Sequence, residues 1–144
     1  VEAGEILEVL SEQLVDLEVD VVEIEEVGFI LHPDLPFAGA SPDGLIGGDG
    51  LIEVKCMETV NHLRCIHTGV LPEYYINQCQ WQMVVTERDW CDLVLYDPRV
   101  PDELQMRVLR VEHDEDRAAE LEEEVEKFEA EINTIINNLK KEKQ

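Results

Sequence analysis

The chain has 144 residues, 44% of them hydrophobic, and sets 34 acidic side chains against 11 basic ones for a formal net charge of −23. That length suits one compact domain with a real core, and the apolar content excludes a disordered polyelectrolyte. No run of 18 apolar residues is present to span a membrane, no secretory signal is visible, and four cysteines without a CxxC pair give no zinc ribbon.

The sign of the charge argues at first against a nucleic-acid partner, whose phosphates are usually met by Lys and Arg. Its distribution weakens that objection. Ten acids precede Val27 and eleven lie between Glu112 and Glu131, whereas Val27 to Val111 holds twelve acids against six bases. The acidity therefore belongs to the flanks, expected as solvated outer faces. A high-salt host, in which like-charge repulsion is screened, is one reading of it. The opening on Val1 reads as a fragment or a processed chain.

Residues 3–16 read as a helix, with Ile6, Leu10 and Leu14 recurring at spacing four. From Asp20 to Leu31 the pattern alternates and slips phase near Glu25-Glu26, which predicts a bulge or two short strands. Prolines 33, 36 and 42 with glycines 39 and 44 then make a loop, and Gly47-Gly48-Asp49-Gly50 turns the chain into a strand from Leu51 to Cys56. Helices are expected over 58–68 and 73–85, split by Gly69 and Pro72, and strands over 90–96 and 104–111. The last segment, 114–141, is a long helix with a seam of Leu121, Val125, Phe128, Ile132, Ile135 and Leu139. That seam suits a short coiled coil or a helix covering the domain's own sheet. The order predicts an α/β (α+β) domain over 1–144: a mixed sheet with flanking helices, comprising an acidic helix (3–16), a core (20–111) and the C-terminal helix (114–141).

Glu53 and Lys55 lie two apart on a predicted strand and so leave the same face. Asp43 precedes them across a hairpin that can return it to that point. Two carboxylates and a lysine converging on one place suit phosphodiester hydrolysis. The acids hold Mg²⁺ through hard oxygens, the metal polarises phosphate and water, and the lysine orients the water or balances the growing charge. The spacing alone is weak, because two turns and a surface Glu/Lys pair would also explain it. Two details favour a site. Leu51, Ile52 and Val54 make the strand otherwise apolar, so its charges belong at an edge or in a site, and small residues from Ala38 to Ser41 allow close backbone approach.

The run Gly39-Ala-Ser-Pro-Asp-Gly-Leu45 followed by Leu51-Ile-Glu-Val-Lys-Cys56 resembles the lambda-exonuclease-like (YqaJ-type viral recombinase) family of PD-(D/E)xK nucleases. Tyr75-Ile-Asn-Gln-Cys-Gln80, Tyr96-Asp-Pro-Arg99, and Val27-Gly-Phe29 with Leu35-Pro-Phe-Ala-Gly39 extend the likeness over roughly residues 4–112. The resemblance implies a restriction-endonuclease-like core. It also implies Asp43, Glu53 and the carbonyl of Val54 as ligands for Mg²⁺, with Mn²⁺ able to substitute. Lys55 would serve the attacking water, Gln78 would orient Lys55 or that water, and Ser41 would meet a DNA 5′-phosphate. Gly4-Glu-Ile-Leu-Glu8 is similar to a family helix that supplies a further acid, making Glu8 a candidate ligand with Glu5 as its competitor.

Weaker candidates come from residue type alone. Arg64, Arg88 and Arg99 are the bases expected to face DNA. At most one of Arg107 and Arg110 can do so, because they lie on opposite faces of a strand. His62 and His67 stand beside Arg64 but are more often structural residues. Trp81 and Trp90 read as core, and Tyr75 as packing or substrate contact. The implied activity is a Mg²⁺-dependent exonuclease of linear double-stranded DNA, 5′ to 3′, in viral or phage-type recombination. A single-strand annealing protein is its implied partner, a ring-shaped homotrimer its implied assembly, and the cytoplasm its place. The alternatives are a structure-specific or Cas4-like endonuclease with the same site, the latter with an iron–sulfur cluster on the four cysteines, and a non-catalytic acidic assembly module. The resemblance also implies a longer DNA-gripping region before the Gly-Lys-x-x-Glu helix, the part that bears on processivity and end recognition.

Overall fold

The computed structural model describes residues 2–15 and 23–143. Its elements run α1 (Ala3–Val15), β1 (Ile24–Glu25), β2 (Ile30–Leu31), β3 (Gly39–Ala40), β4 (Gly44–Ile46), β5 (Gly50–Lys55), α2 (Thr59–Thr68), α3 (Glu73–Thr86), β6 (Trp90–Tyr96), a 3₁₀ turn (Asp102–Leu104), β7 (Met106–Glu112) and α4 (Glu115–Glu142). Residue 16 of the expected first helix and the strand start expected at 20–22 lie outside the described residues.

Five strands form the main sheet in the order β1-β4-β5-β6-β7. Its neighbours are antiparallel except β5 and β6, which run parallel with Glu53 opposite Leu93 and Lys55 opposite Leu95. A parallel pair needs a long crossover, and α2 with α3 supplies it. The phase slip near Glu25-Glu26 resolves as two strands in different sheets, since β1 joins the main sheet and β2 pairs with β3. The β4–β5 hairpin turns through Gly47, whose φ of +55° favours glycine. A Cβ on Gly50 would enter the Trp90 ring, so the hairpin lies close against that indole.

Alternation along β5 sorts the core into two layers. Leu51 packs with Met57, Cys65, Cys79, Met83, Cys91, Leu93 and Leu95 beneath α2 and α3. Ile52 packs on the other face with Val94 and with Ile6, Leu7 and Leu10 of α1. Fully burying each such aliphatic side chain contributes about 1.5–3 kcal/mol, so all three helices are held to the sheet by their apolar faces.

Two expectations change in detail. Leu104 falls in the 3₁₀ turn rather than in the last strand, because Pro101 starts a short turn in which Leu104 N–H bonds the Pro101 carbonyl. The C-terminal helix does not cover the sheet. α4 is capped by the Asp114 side chain, which accepts from Arg117 N–H, and packs on α3 near Ala118. Farther along, its seam is open to solvent, with Phe128 64% and Ile135 58% exposed.

Candidate active site

β5 is the middle strand of five, so Glu53 and Lys55 are not edge charges. They project from the face covered by α3, and Glu53 is only 4% exposed. Burying a carboxylate is costly unless its oxygens are paired, and three donors pair them. Lys55 Nζ stands 2.6 Å from Glu53 Oε1, Gln78 Nε2 donates to the same oxygen at 2.8 Å, and Gln82 Nε2 donates to Oε2 at 2.8 Å. The ammonium of Lys55 also lies 5.2 Å from the centre of the Tyr75 ring, a favourable cation–π distance. Tyr75 thus packs against the core and lies beside the lysine at once.

Asp43 immediately precedes β4, where the β4–β5 ladder has ended. Its Oδ2 accepts the Val54 N–H at 2.7 Å and replaces the missing strand partner. A residue's N–H and C=O leave a strand on the same side, so the Val54 carbonyl also faces toward Asp43. Burial raises the Asp43 carboxyl above its ordinary range, the Val54 hydrogen bond opposes this, the negative Glu53 nearby adds to the rise, and Lys55 counters it. Two hard carboxylates close enough to repel one another, beside a strand carbonyl, form a donor set that suits a divalent cation. The residues present therefore fit Mg²⁺.

The Glu53, Lys55 and Gln78 cluster expected from sequence is therefore brought together, with Asp43 one strand residue away at Val54. Gln78 bonds Glu53 rather than Lys55, and Gln82 went unnoticed in the sequence. Its signal was present: positions 78 and 82 are four apart on one helix and so share a face. Glu8 is exposed on α1, the helix on the opposite side of the sheet. Among the described residues no group of three or more His, Cys, Asp or Glu is gathered as a metal site, so Glu8 is not assembled with Asp43 and Glu53.

The residues expected to meet DNA, and the weaker candidates, divide sharply. Ser41 and Arg64 are exposed, with Arg64 bonded along its own helix to Asn61. Arg99 donates through Nε and Nη2 to Asp97 and through Nη2 to the Met57 carbonyl, yet its side chain remains 61% exposed just beyond the carboxyl ends of β5 and β6. Arg88 is engaged elsewhere: its Nη1 donates to the carbonyls of Ile46, Gly47 and Gly50 and clasps the β4–β5 hairpin. Arg110 pairs with Asp92 and lies 3.8 Å over Trp90. Arg107 is exposed on the other face of β7. His62 is buried with Nε2 2.8 Å from the Leu104 carbonyl, a structural role. Trp81 is likewise structural, donating to the Gly39 carbonyl and stacking on His32. Cys65, Cys79 and Cys91 are buried thiols and Cys56 is exposed, and all four are free.

The YqaJ-like viral recombinase domain model matches residues 2–89, the span that carries Asp43, Glu53, Lys55 and Gln78. The chain belongs to that family. The YqaJ-like fold also superposes on an alkaline exonuclease, LHK-Exo, from Laribacter hongkongensis with TM-score 0.85 and 44% identity, covering 94% of this chain and 70% of that one. That relative has also been solved in complex with dAMP. A phage-related exonuclease from Haemophilus somnus 129PT shares the fold, with TM-score 0.65 at 14% identity over 95% of this chain and 72% of that one. An uncharacterized protein of Acanthamoeba polyphaga mimivirus is 34% identical over 86 residues, 51% of this chain, and the chain spans 16% of that viral protein's length. No helix among the described residues of this YqaJ-like domain is long and apolar enough to cross a membrane.

Proposed function

We propose that the chain is a Mg²⁺-dependent exonuclease that hydrolyses linear double-stranded DNA, 5′ to 3′, in viral or phage-type recombination. The observation that carries this reading is the buried Glu53 carboxylate, bonded to Lys55 on its own strand, with Asp43, just before β4, accepting from Val54 N–H. Asp43, Glu53 and the Val54 carbonyl hold the metal, and Mn²⁺ can replace Mg²⁺. When bound, the ion supplies Lewis-acid activation of the phosphate and of water.

The remaining work falls to the chain's own groups. Lys55 holds the attacking water and balances charge as the phosphate is attacked, while the Tyr75 ring restrains its swing. Gln78 keeps Glu53 Oε1 in place. Ser41 takes a terminal 5′-phosphate, and Arg64 and Arg99 take the DNA backbone. Glu8 stands on α1 away from Asp43 and Glu53, so its loss should matter less than that of Glu53. A single-strand annealing partner and a homotrimeric ring are supported by the family resemblance. The exonuclease mode is supported by the alkaline exonuclease relative.

The test is digestion of end-labelled linear duplex in Mg²⁺ by wild type, Glu53→Ala and Lys55→Ala, with closed circular duplex alongside. Each variant should lose at least about a hundredfold in rate, as expected when a group acting on the developing charge is removed, and chelation should abolish cleavage. Circular duplex should survive. Equal rates in all three proteins would remove the site assignment, and cleavage of the circle would replace the exonuclease with an endonuclease.

A further inference from the structure

We infer that Gln82 is a positioning residue that fixes which oxygen of Glu53 is presented to the metal, an inference that rests on the nuclease reading above. The two oxygens of Glu53 are held from different directions. Oε1 takes Lys55 and Gln78 on the partly open side of the site. Oε2 takes Gln82 in a bond that is buried at both ends. Gln82 is itself 2% exposed and stands one helical turn beyond Gln78 on α3, so the two amides approach one carboxylate along one helix face.

The other end of Gln82 distinguishes positioning from packing. Its carbonyl oxygen is buried and has no hydrogen-bond partner among the described residues. Turning the amide over would set that oxygen against the Glu53 carboxylate, so the orientation is dictated by Glu53 alone. Gln80, on the same helix, shows the contrasting arrangement. It donates to the Glu112 carbonyl and accepts from Asp114 N–H, satisfying both ends while tying α3 to the start of α4. An amide that leaves a buried acceptor unpaired to serve one carboxylate carries a cost that calls for a functional reason. Pinning Oε2 from within stops the carboxylate from rotating and keeps Oε1 turned toward Lys55 and the open side. Without that anchor the carboxylate samples other rotations, and metal affinity falls although every ligand remains.

The experiment measures Mn²⁺ binding to the full chain by calorimetry, together with the Mg²⁺ dependence of linear-duplex cleavage. The proteins are wild type, Gln82→Met, Gln82→Leu, Gln80→Met and Glu53→Gln. Both Gln82 variants should weaken Mn²⁺ binding about tenfold, the scale seen when a group orienting a metal ligand is lost. Half-activating Mg²⁺ should rise by a similar factor, with the rate at saturating Mg²⁺ within about threefold of wild type. Gln80→Met should lower the melting temperature and leave Mn²⁺ affinity unchanged. If one Gln82 variant does not fold, the other is read alone. Unchanged Mn²⁺ affinity in a folded Gln82 variant, or equal weakening in Gln80→Met, would assign Gln82 to packing. Failure of the nuclease reading looks different: wild type and Glu53→Gln would then bind Mn²⁺ and treat DNA alike.

Discussion

Asp97 is fully buried, yet every group around its carboxylate is a donor. Arg99 gives its N–H at 3.0 Å and Nε at 2.7 Å to Oδ1, and Thr59 Oγ1 gives 2.6 Å to Oδ2. The Arg99 side-chain hydrogen bonds, then that of Thr59, hold the Asp97 carboxyl well below the usual carboxylate range, while burial works against them. A carboxylate whose pKa is depressed by folding contributes stability that is complete above its unfolded value and is lost as pH falls through the folded one. Asp97→Asn should therefore lower stability by a constant amount from pH 7 to about 5. The gap to wild type should narrow only below the ordinary value of 3.8. Urea titrations across that range check it, and a gap that closes by pH 6 would show that the pairing is not made. The same cage ties Met57, just after β5, to the end of β6, and so steadies the strand ends that carry Lys55. At this scale the sequence was informative where chemistry has a spacing. Glu53 and Lys55 share a face by period two, and Asp43 falls across a hairpin. Partners chosen by folding were not legible. Of the glutamines at 78, 80 and 82, helical spacing sets 78 and 82 on one face, but only the position of α3 over β5 shows that this face reaches Glu53. Nor does composition show that Arg88 is consumed by three carbonyls, or that His62 is sealed against Leu104.

α4 shows the same division at the level of elements. Its seam spacing was legible, but what covers that seam was not, because periodicity states which residues share a face and says nothing of the surface opposite. Leu121 and Val125 are half-buried, whereas Phe128, Ile135 and Leu139 lie mostly in water. Removing an apolar group that is not buried forfeits little transfer free energy. Ile135→Ser should therefore change the unfolding free energy by less than about 0.5 kcal/mol. Leu93→Ala, at a position of zero exposure on β6, should cost about 2–5 kcal/mol. Denaturant unfolding of the two variants compares them directly. A loss at Ile135 as large as that at Leu93 would mean that the helix face is covered in solution. Short strands set the other limit on legibility. β1, β2 and β3 have two residues each, and pairing of that length is fixed by the tertiary approach at Gly39 and Gly44 rather than by any repeat in the sequence.

Across the whole molecule, the net charge of −23 and the proposed DNA substrate pull in opposite directions with salt. Most of the acids of α4 are exposed and lie on one helix, so they repel one another, and that repulsion weakens as the Debye length falls from about 30 Å at 0.01 M to about 3 Å at 1 M. The melting temperature should rise steadily with added KCl over that range. DNA affinity should fall, since each phosphate neutralised by a cation releases counterions and steepens the dependence of log K on log salt by about 0.9. The proposed phosphate-facing cations are few: Arg64 is exposed, Arg99 keeps 61% of its side chain in solvent beside its Asp97 pair, and Lys55 lies in the site itself. With Lys55, Arg64 and Arg99 as the groups that reach phosphate, the slope should be about −3. Fluorescence anisotropy of a labelled duplex in Ca²⁺, titrated with KCl, measures that slope, and calorimetric melting measures the opposing trend. A slope of about −6 or steeper would require twice as many phosphate contacts as this set supplies. A melting temperature indifferent to salt would show that the acidic flanks are neutralised by something other than solvent ions.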